Sequence, residues 1–310
     1  MNEVQFTKAY FIKLGQSGIW EKDSIETNKI RIGWPDTDIQ DISDQKWDKI
    51  KRELQNKAKN QGAATRDFNA LKNIVEANEQ TVFITFYQSC LFWCKPNTRS
   101  KEVVKEDNKS KYREVDGSWK NTDINGRVLL INQMSGKLAQ LQRFAATLCS
   151  IKELEYLKRL INGEPSQEYC SILKTKEKFI REIEGGIKLL HWKDFEILVD
   201  LIFRESGWRR ISVSGETMKF SDLELQDAIT GDFYQVQIKS KASLDDFKRY
   251  ATEFDNSKFR KLYFVVHSPE ERLVKYRYES SNNIELILST QLATMVVDLG
   301  LVSWLMEKIK

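Results

Sequence analysis

Only two histidines, His191 and His267, and four cysteines occur in this chain of 310 residues. That scarcity excludes a disulfide-framed secreted scaffold and leaves little from which to build a zinc centre. Cys90 and Cys94 flank Leu91–Phe92–Trp93 with the spacing of half a zinc site. Cys149 and Cys170 lie far apart and form no second close pair, so buried thiols in a strand are the simpler reading. Four prolines and 14 glycines are too few for collagen-like or low-complexity sequence, and no internal repeat is present. No apolar run approaches the length of a membrane helix, and the first eleven residues hold none of signal-peptide length. A cytoplasmic protein with no membrane partner is therefore expected. Nor does charge of one sign dominate. The 49 basic and 45 acidic side chains leave a net charge of +4, so any surface for nucleic acid must come from distribution, not totals.

What is present fits two domains of mixed α/β class. In the first half, Ala9–Leu14 and Ile30–Trp34 read as short strands closed by turn residues. Asp44–Lys59 and Thr65–Ala77 carry apolar residues at helical spacing. Thr81–Tyr87 and Ser89–Cys94 are strongly β-prone, and Lys101–Lys120 is a charged hairpin or loop. Val128–Asn132 reads as a strand, with helices over Met134–Leu148 and Ile151–Ile161, the latter stopped by Asn162–Gly163–Glu164–Pro165. Lys174–Glu184 is a charged helix that the diglycine Gly185–Gly186 is expected to end. The domains expected are thus 1–150, a helical linker over 151–186, and 187–310.

The second half is more regular. Trp192–Phe203 places Phe195, Leu198, Val199 and Ile202 on one helical face. Trp208–Val213 reads as a strand, and Asp222–Leu225 and Phe233–Lys239 as a hairpin turned at Thr230–Gly231–Asp232. Leu244–Phe254 follows as a helix, Lys261–His267 as an apolar strand, and Thr290–Met306 as a closing helix. In the hairpin, period-two alternation sets Asp222 and Glu224 on one strand face, and Gln235, Gln237 and Lys239 on one face of its partner. Leu223, Leu225, Val236 and Ile238 take the opposite side. An acid beside an amide and a lysine suits phosphodiester hydrolysis: oxygen donors hold a divalent cation, and the lysine orients or deprotonates water. Any half-exposed hairpin shows the same alternation, and Glu196 with Asp200 also fits a plain solvated helix face.

The ordered set from Leu190 to Pro269 resembles the Mrr-like branch of the PD-(D/E)xK nucleases, which includes many restriction endonucleases. Phe195–Glu196 matches its first-helix pair, Gly207–Trp208 its Gly-aromatic pair, Asp222–Leu223–Glu224–Leu225 its acidic strand, and Gln237–Ile238–Lys239 its Gln-hydrophobic-Lys motif. The resemblance implies a mixed central sheet flanked by helices and Mg²⁺ or Mn²⁺ as cofactor. It implies Asp222 as the main metal-binding carboxylate, with Glu224 as the other acid that could take that place. Gln237 would stand in the family's usual acidic position, Lys239 would be the catalytic lysine, and Glu196 would assist. Lys241, Lys248, Arg249, Lys258, Arg260 and Lys261 flank the set and could hold phosphates, although charge runs are more often solvated faces.

Eight tryptophans are many. Trp20 and Trp34 each follow a Gly and a hydrophobic residue beside strand ends, and Trp93 lies in a β-prone run. Most such rings are core; at the mouth of a fold they could stack a base flipped from DNA, with Lys13 or Arg31 nearby. Residues 5–150 also resemble, more loosely, a PUA-type β-barrel with helices of the EVE or YTH-like group, in which an aromatic cage grips a modified base. The combined expectation is an endonuclease of restriction or phage-defence type, acting as a homodimer, whose amino-terminal domain selects DNA carrying modified bases through Trp20, Trp34 and Trp93. Its rivals are a non-cutting DNA-binding sensor with a decayed nuclease fold and an RNA-directed nuclease.

Overall fold

The computed structural model describes residues 3–211, 222–254, 259–276 and 283–310. Two compact units divide the chain, Met1–Ser166 and Gln167–Lys310. The division follows Gly163, which takes the left-handed conformation (φ +64°) that ends the preceding helix, and Pro165, which cannot continue one. No helix among the described residues is long and apolar enough to cross a membrane.

The first unit contains β1 (Lys8–Ile12), α1 (Glu21–Glu26), β2 (Lys29–Ile32), α2 (Ile39–Ser43), α3 (Trp47–Lys57), α4 (Gln61–Val75), β3 (Thr81–Tyr87), β4 (Cys90–Cys94), β5 (Lys105–Glu106), β6 (Lys111–Glu114), α5 (Gly136–Ala139), β7 (Leu148–Ser150) and α6 (Leu154–Asn162). A four-stranded sheet runs β4-β3-β1-β7, and a three-stranded one β2-β6-β5. Among the described residues these do not close into the expected barrel. Beyond β4 the chain reaches the second sheet through a Pro96–Val115 bridge, flanked by the hydrogen bonds from Asn97 N–H to Glu114 O (2.8 Å) and from Asp116 N–H to Lys95 O (2.9 Å), and both sheets face one core. The charged stretch does fold as a hairpin, β5–β6, and ions fasten it. Arg31, only 2% exposed, donates to Asp23 (2.6 Å) and Asp107 (3.0 Å), and Lys29 donates to Asp107 at 2.7 Å. The Arg31 guanidinium above all, with Lys29, holds the Asp107 carboxyl well below the usual carboxylate range despite its desolvation.

Two expectations here are corrected. Val128–Asn132 is no strand; it makes isolated bridges, Thr122–Val128 and Cys90–Leu130, and turns at Ile131–Gln133. Met134–Leu148 is not one helix but α5 followed by a 3-10 turn over Gln140–Arg143, after which the chain extends into β7. Strand pairing with β1, Tyr10 opposite Ser150 and Ile12 opposite Leu148, overrides the local helical pattern. The buried Leu138, with the partly buried Leu141 and Phe144, still faces the core, as their spacing requires.

The second unit contains α7 (Gln167–Lys188), α8 (Trp192–Glu205), β8 (Arg209–Arg210), β9 (Leu223–Gln226), β10 (Phe233–Ala242), α9 (Leu244–Phe254), β11 (Lys261–Pro269), α10 (Glu271–Lys275), β12 (Ile284–Ile287), α11 (Ser289–Asp298) and α12 (Val302–Ile309). Its five-stranded sheet runs β12-β11-β10-β9-β8 and is mixed: β10, β11 and β12 are parallel, and β9 is antiparallel to both β10 and β8. One sheet face packs Val236, Ile238 and Val265 against Phe195, Leu198, Val199 and Ile202 of α8. The other packs Leu262, Phe264 and Val266 against Phe247 and Phe254 of α9.

Helix α7 does not stop at Gly185–Gly186; it runs through both. A Cβ on Gly186 would stand 3.1 Å from Ile309 Cδ1 and 3.4 Å from Leu305 Cδ2, so the glycine serves the close approach of α12. The segment 151–186 accordingly holds α6, which belongs to the first unit, and most of α7, which belongs to the second. The closing helix is two helices, parted at Gly300 (φ +72°), a conformation glycine adopts without strain. In the strand expected over Trp208–Val213, pairing covers Arg209–Arg210, while Ser212 and Val213 lie outside the described residues.

Candidate active site

Register sets the site. The β9–β10 hairpin turns through Asp227–Gly231, where Asp227 Oδ1 accepts from the N–H groups of Ile229 (2.7 Å) and Thr230 (2.9 Å) and Gly231 takes φ +75°. Glu224 then pairs with Gln235 and Leu223 with Val236. The two leucines and Val236 enter the core facing α8. Alternation therefore carries Asp222, Glu224, Gln235, Gln237 and Lys239 to the α9 side, as the sequence pattern required.

Asp222 is the most tightly placed of them. Its Oδ2 accepts from the Ile238 N–H at 2.6 Å and from Gln237 Nε2, while its own N–H donates to Val236 O at 3.1 Å. Gln237 is 3% exposed. With its Nε2 spent on Asp222, its Oε1 is the lone-pair donor the amide offers elsewhere. Burial pushes the Asp222 carboxyl above its ordinary value, and the Ile238 N–H, the Lys239 charge and Gln237 only partly offset it. Glu196, half-buried on α8, is raised as well, first by burial and then by the Asp222 charge, against Arg210, Lys193 and Lys239. The structure thus brings Asp222, Gln237, Lys239 and Glu196 within one electrostatic neighbourhood. Glu224 is half-buried two register positions away, opposite Gln235, and it is Asp222 that Gln237 bonds.

Two carboxyls raised by burial, with Glu196 raised further by the Asp222 charge, suit a cation, which would relieve both. The donors are carboxylate and amide oxygens, and no group of three or more His, Cys, Asp or Glu side chains gathers among the described residues. That donor chemistry fits a hard ion of the Mg²⁺ or Mn²⁺ kind rather than zinc. The cysteines offer no competing site: the Cys94 thiol is buried in the core and pushed well up by desolvation.

Lys239 meets a residue that sequence reasoning missed. Its Nζ lies 5.3 Å from the ring centroid of Tyr250 on α9. Helical spacing from Phe247 to Phe254 marks Tyr250 as part of the α9 packing face, but only the strand pairing reveals what it packs over. Ser243 starts α9 directly after β10. Asp246 Oδ2 accepts from its N–H (3.0 Å) and Oγ (2.7 Å), and the Asp246 N–H donates back to Ser243 Oγ at 3.1 Å.

The flanking charges are partly committed. Arg260 pairs with Asp232, Lys261 with Glu285 at 2.8 Å, and Arg249 with Asp246 at 3.4 Å. Lys248 lies over Tyr276 and Lys241 is exposed, whereas Lys258 lies outside the described residues. His267 is a core histidine, edge-on to Phe195 with ring centroids 4.5 Å apart, and desolvation pushes its pKa down.

In the first unit, Trp20 and Trp34 are half-buried against the same core cluster. Trp93 does not join them. It is 5% exposed in a different cluster, and its Nε1 donates to Thr122 O at 2.9 Å. Trp34 takes φ +59°, costly for a bulky residue. Buried Lys111 holds the loop there through Pro35 O (2.9 Å) and Trp34 O (3.4 Å). Arg31 is spent on Asp23 and Asp107 and is not offered to a ligand.

No family model and no curated protein matches the sequence. Among solved structures, the chain is similar over 92% of its length to 74% of an MspJI restriction endonuclease in complex with a 27-mer oligonucleotide, at 15% identity and a TM-score of 0.27. It is also similar over 96% of its length to 81% of the DNA modification-dependent restriction endonuclease AspBHI, at 10% identity and a TM-score of 0.28. Likeness of that degree is too slight to assign a fold or an activity, and the site stands on its own residues.

Proposed function

We propose that the second unit is a divalent-metal-dependent endonuclease of restriction type that hydrolyses DNA phosphodiesters. The observation that supports it is the desolvated Asp222 carboxylate, fixed between Gln237 and the Ile238 N–H on the strand face that carries Lys239. Asp222 and Gln237, assisted by Glu196, would hold Mg²⁺ or Mn²⁺, with Glu224 as a further carboxylate close by. When bound, such an ion lowers the pKa of water and neutralises charge on the scissile phosphate. Lys239 orients or deprotonates the attacking water. Gln237 and Ile238 keep Asp222 in one orientation, so little reorganisation accompanies the reaction.

The first unit, in this reading, selects the DNA by stacking a modified base on Trp20 or Trp34, and two copies of the chain cooperate to cut both strands. The deciding experiment incubates the purified full chain, with Mg²⁺ or Mn²⁺ and with EDTA, with matched duplexes that are unmodified, methylated, hydroxymethylated or glucosylated, and with RNA. Metal-dependent cleavage of a modified duplex is the expected result. Binding without cleavage in every arm would establish a sensor in place of a nuclease, and cleavage confined to RNA would redirect the substrate.

A further inference from the structure

Helix α9 lies across the Lys239 face of the sheet, and its Tyr250 ring is wedged. On one side it meets Phe264 of β11, fully buried, at a centroid distance of 5.6 Å. Phe264 is the register partner of Gln237. Lys239 Nζ stands 5.3 Å from the Tyr250 centroid, and the Arg249 guanidinium carbon also lies 5.3 Å from it. The Ser243–Asp246 capping box fixes where α9 begins, so the ring is placed by packing and by the helix start together. An ammonium on a flexible four-carbon stem would otherwise sample many rotamers.

We propose that Tyr250 is the positioning residue for Lys239: its electron-rich ring face holds the ammonium on the side of the sheet that carries Asp222. This rests on the reading of Lys239 as the catalytic lysine. The attraction is that of a cation for a ring quadrupole. The other charges that act with Lys239 are Asp222 before β9, Glu196 on α8 and Asp246 on α9, and Arg249 shares the ring.

The test reads the place of the lysine directly and does not need cleavage. The metal-free full chain is prepared with lysine carrying carbon-13 at Cε, and the Lys239 ε-methylene signal, assigned by its absence from Lys239→Arg, is compared at one fixed pH in wild type, Tyr250→Phe and Tyr250→Leu. A methylene over a ring face is shifted upfield by the ring current. Phe keeps the ring face, and its Lys239 signal is expected to stay with that of wild type. In Tyr250→Leu the signal is expected to move downfield to the position of the exposed lysines. In the cleavage assay kcat is expected to fall about tenfold with KM unchanged, short of the about 10²–10⁴ that loss of a proton-transfer group costs. A Lys239 signal in Tyr250→Leu that superimposes on wild type overturns the proposal. Should Tyr250→Leu melt before the assay temperature, Tyr250→Met, unbranched and without a ring, is judged by the same criterion. A wild type whose Lys239 signal is shifted as expected but which cuts no DNA defeats the nuclease reading and leaves the Tyr250 contact standing.

Discussion

The Ile238 N–H donates to Asp222 Oδ2 at 2.6 Å across the hairpin. The candidate metal-binding carboxylate is therefore oriented by the main chain of the residue just before Lys239, so the two groups cannot move apart without breaking the ladder. A site whose parts are locked to one strand loses function on substitution before it loses fold.

Lys239→Ala is expected to cut the rate of DNA cleavage by about 10²–10⁴ while the melting curve stays within the range of a surface substitution. Asp222→Ala should be equally inactive but also less stable, because the Ile238 N–H is left without its acceptor, at a cost of about 1–3 kcal/mol. Asp222→Asn keeps an acceptor there and separates the two effects. A purified Lys239→Ala protein that cuts at near wild-type rate would remove the lysine from the mechanism.

Metal and pH should be linked. The Asp222 and Glu196 carboxyls stand above their ordinary values in the metal-free protein. Folding thus strengthens proton binding at both, and the stability this gives, complete below the unfolded-state pKa, is lost as pH rises through the folded one. Asp222→Asn should therefore melt no earlier than wild type at pH 7 to 8 without metal. Mg²⁺ or Mn²⁺ should raise the melting temperature of wild type but not of the variant, and by less as the pH is lowered toward the raised carboxyl pKa. Equal metal-induced shifts in both proteins would place the ion elsewhere, and cleavage surviving exhaustive chelation would dispense with it.

The tryptophans should divide. Trp93→Ala is expected to destabilise the first unit by about 3–5 kcal/mol, the cost of emptying a core site. Trp20→Ala or Trp34→Ala should weaken binding of modified DNA roughly tenfold to a hundredfold, the worth of one stacked base, with smaller losses of stability. Fluorescence anisotropy and melting on the same samples decide it. If both half-buried variants bind like wild type, base stacking by these rings is wrong.

Adjacent glycines should behave differently. A Cβ on Gly185 meets nothing within 4 Å, so Gly185→Ala should stabilise α7 by about 0.5–1 kcal/mol. Gly186→Ala drives a methyl toward Ile309 and Leu305 and should end at least about 1 kcal/mol below Gly185→Ala in denaturant titration. Equal gains would mean that α12 yields freely.

The hairpin was legible because both of its signals are local. Period two fixes which residues share a strand face, and Thr230–Gly231–Asp232 marks the turn. Helix α8 was legible for the same reason, through Phe195, Leu198, Val199 and Ile202. What could not be read was set by partners distant in sequence. The diglycine looked like a stop until α12 supplied the reason for it. Residues after Met134 had a helical pattern that pairing with β1 overruled. Strand β12, Ile284–Ile287, is four residues at a sheet edge and was not foreseen. Tyr250 looked like any core aromatic, because its neighbour Lys239 lies on another element. Trp93 differs from Trp20 and Trp34 in its deeper burial and in the core cluster it joins, which no spacing reveals.

Between Ala242, the last residue of β10, and Leu244, the first of α9, stands Ser243 alone. Such a joint has no slack. One residue inserted there would turn the helix by about 100° and advance it about 1.5 Å, carrying Tyr250 away from Lys239 and Phe247 out of the core. The Asp227–Asp232 turn at the other end of the same strand faces solvent and can lengthen at little cost. Length variation in this hairpin and helix is therefore admissible at one end of β10 and forbidden at the other, and a tag or reporter peptide belongs in the turn.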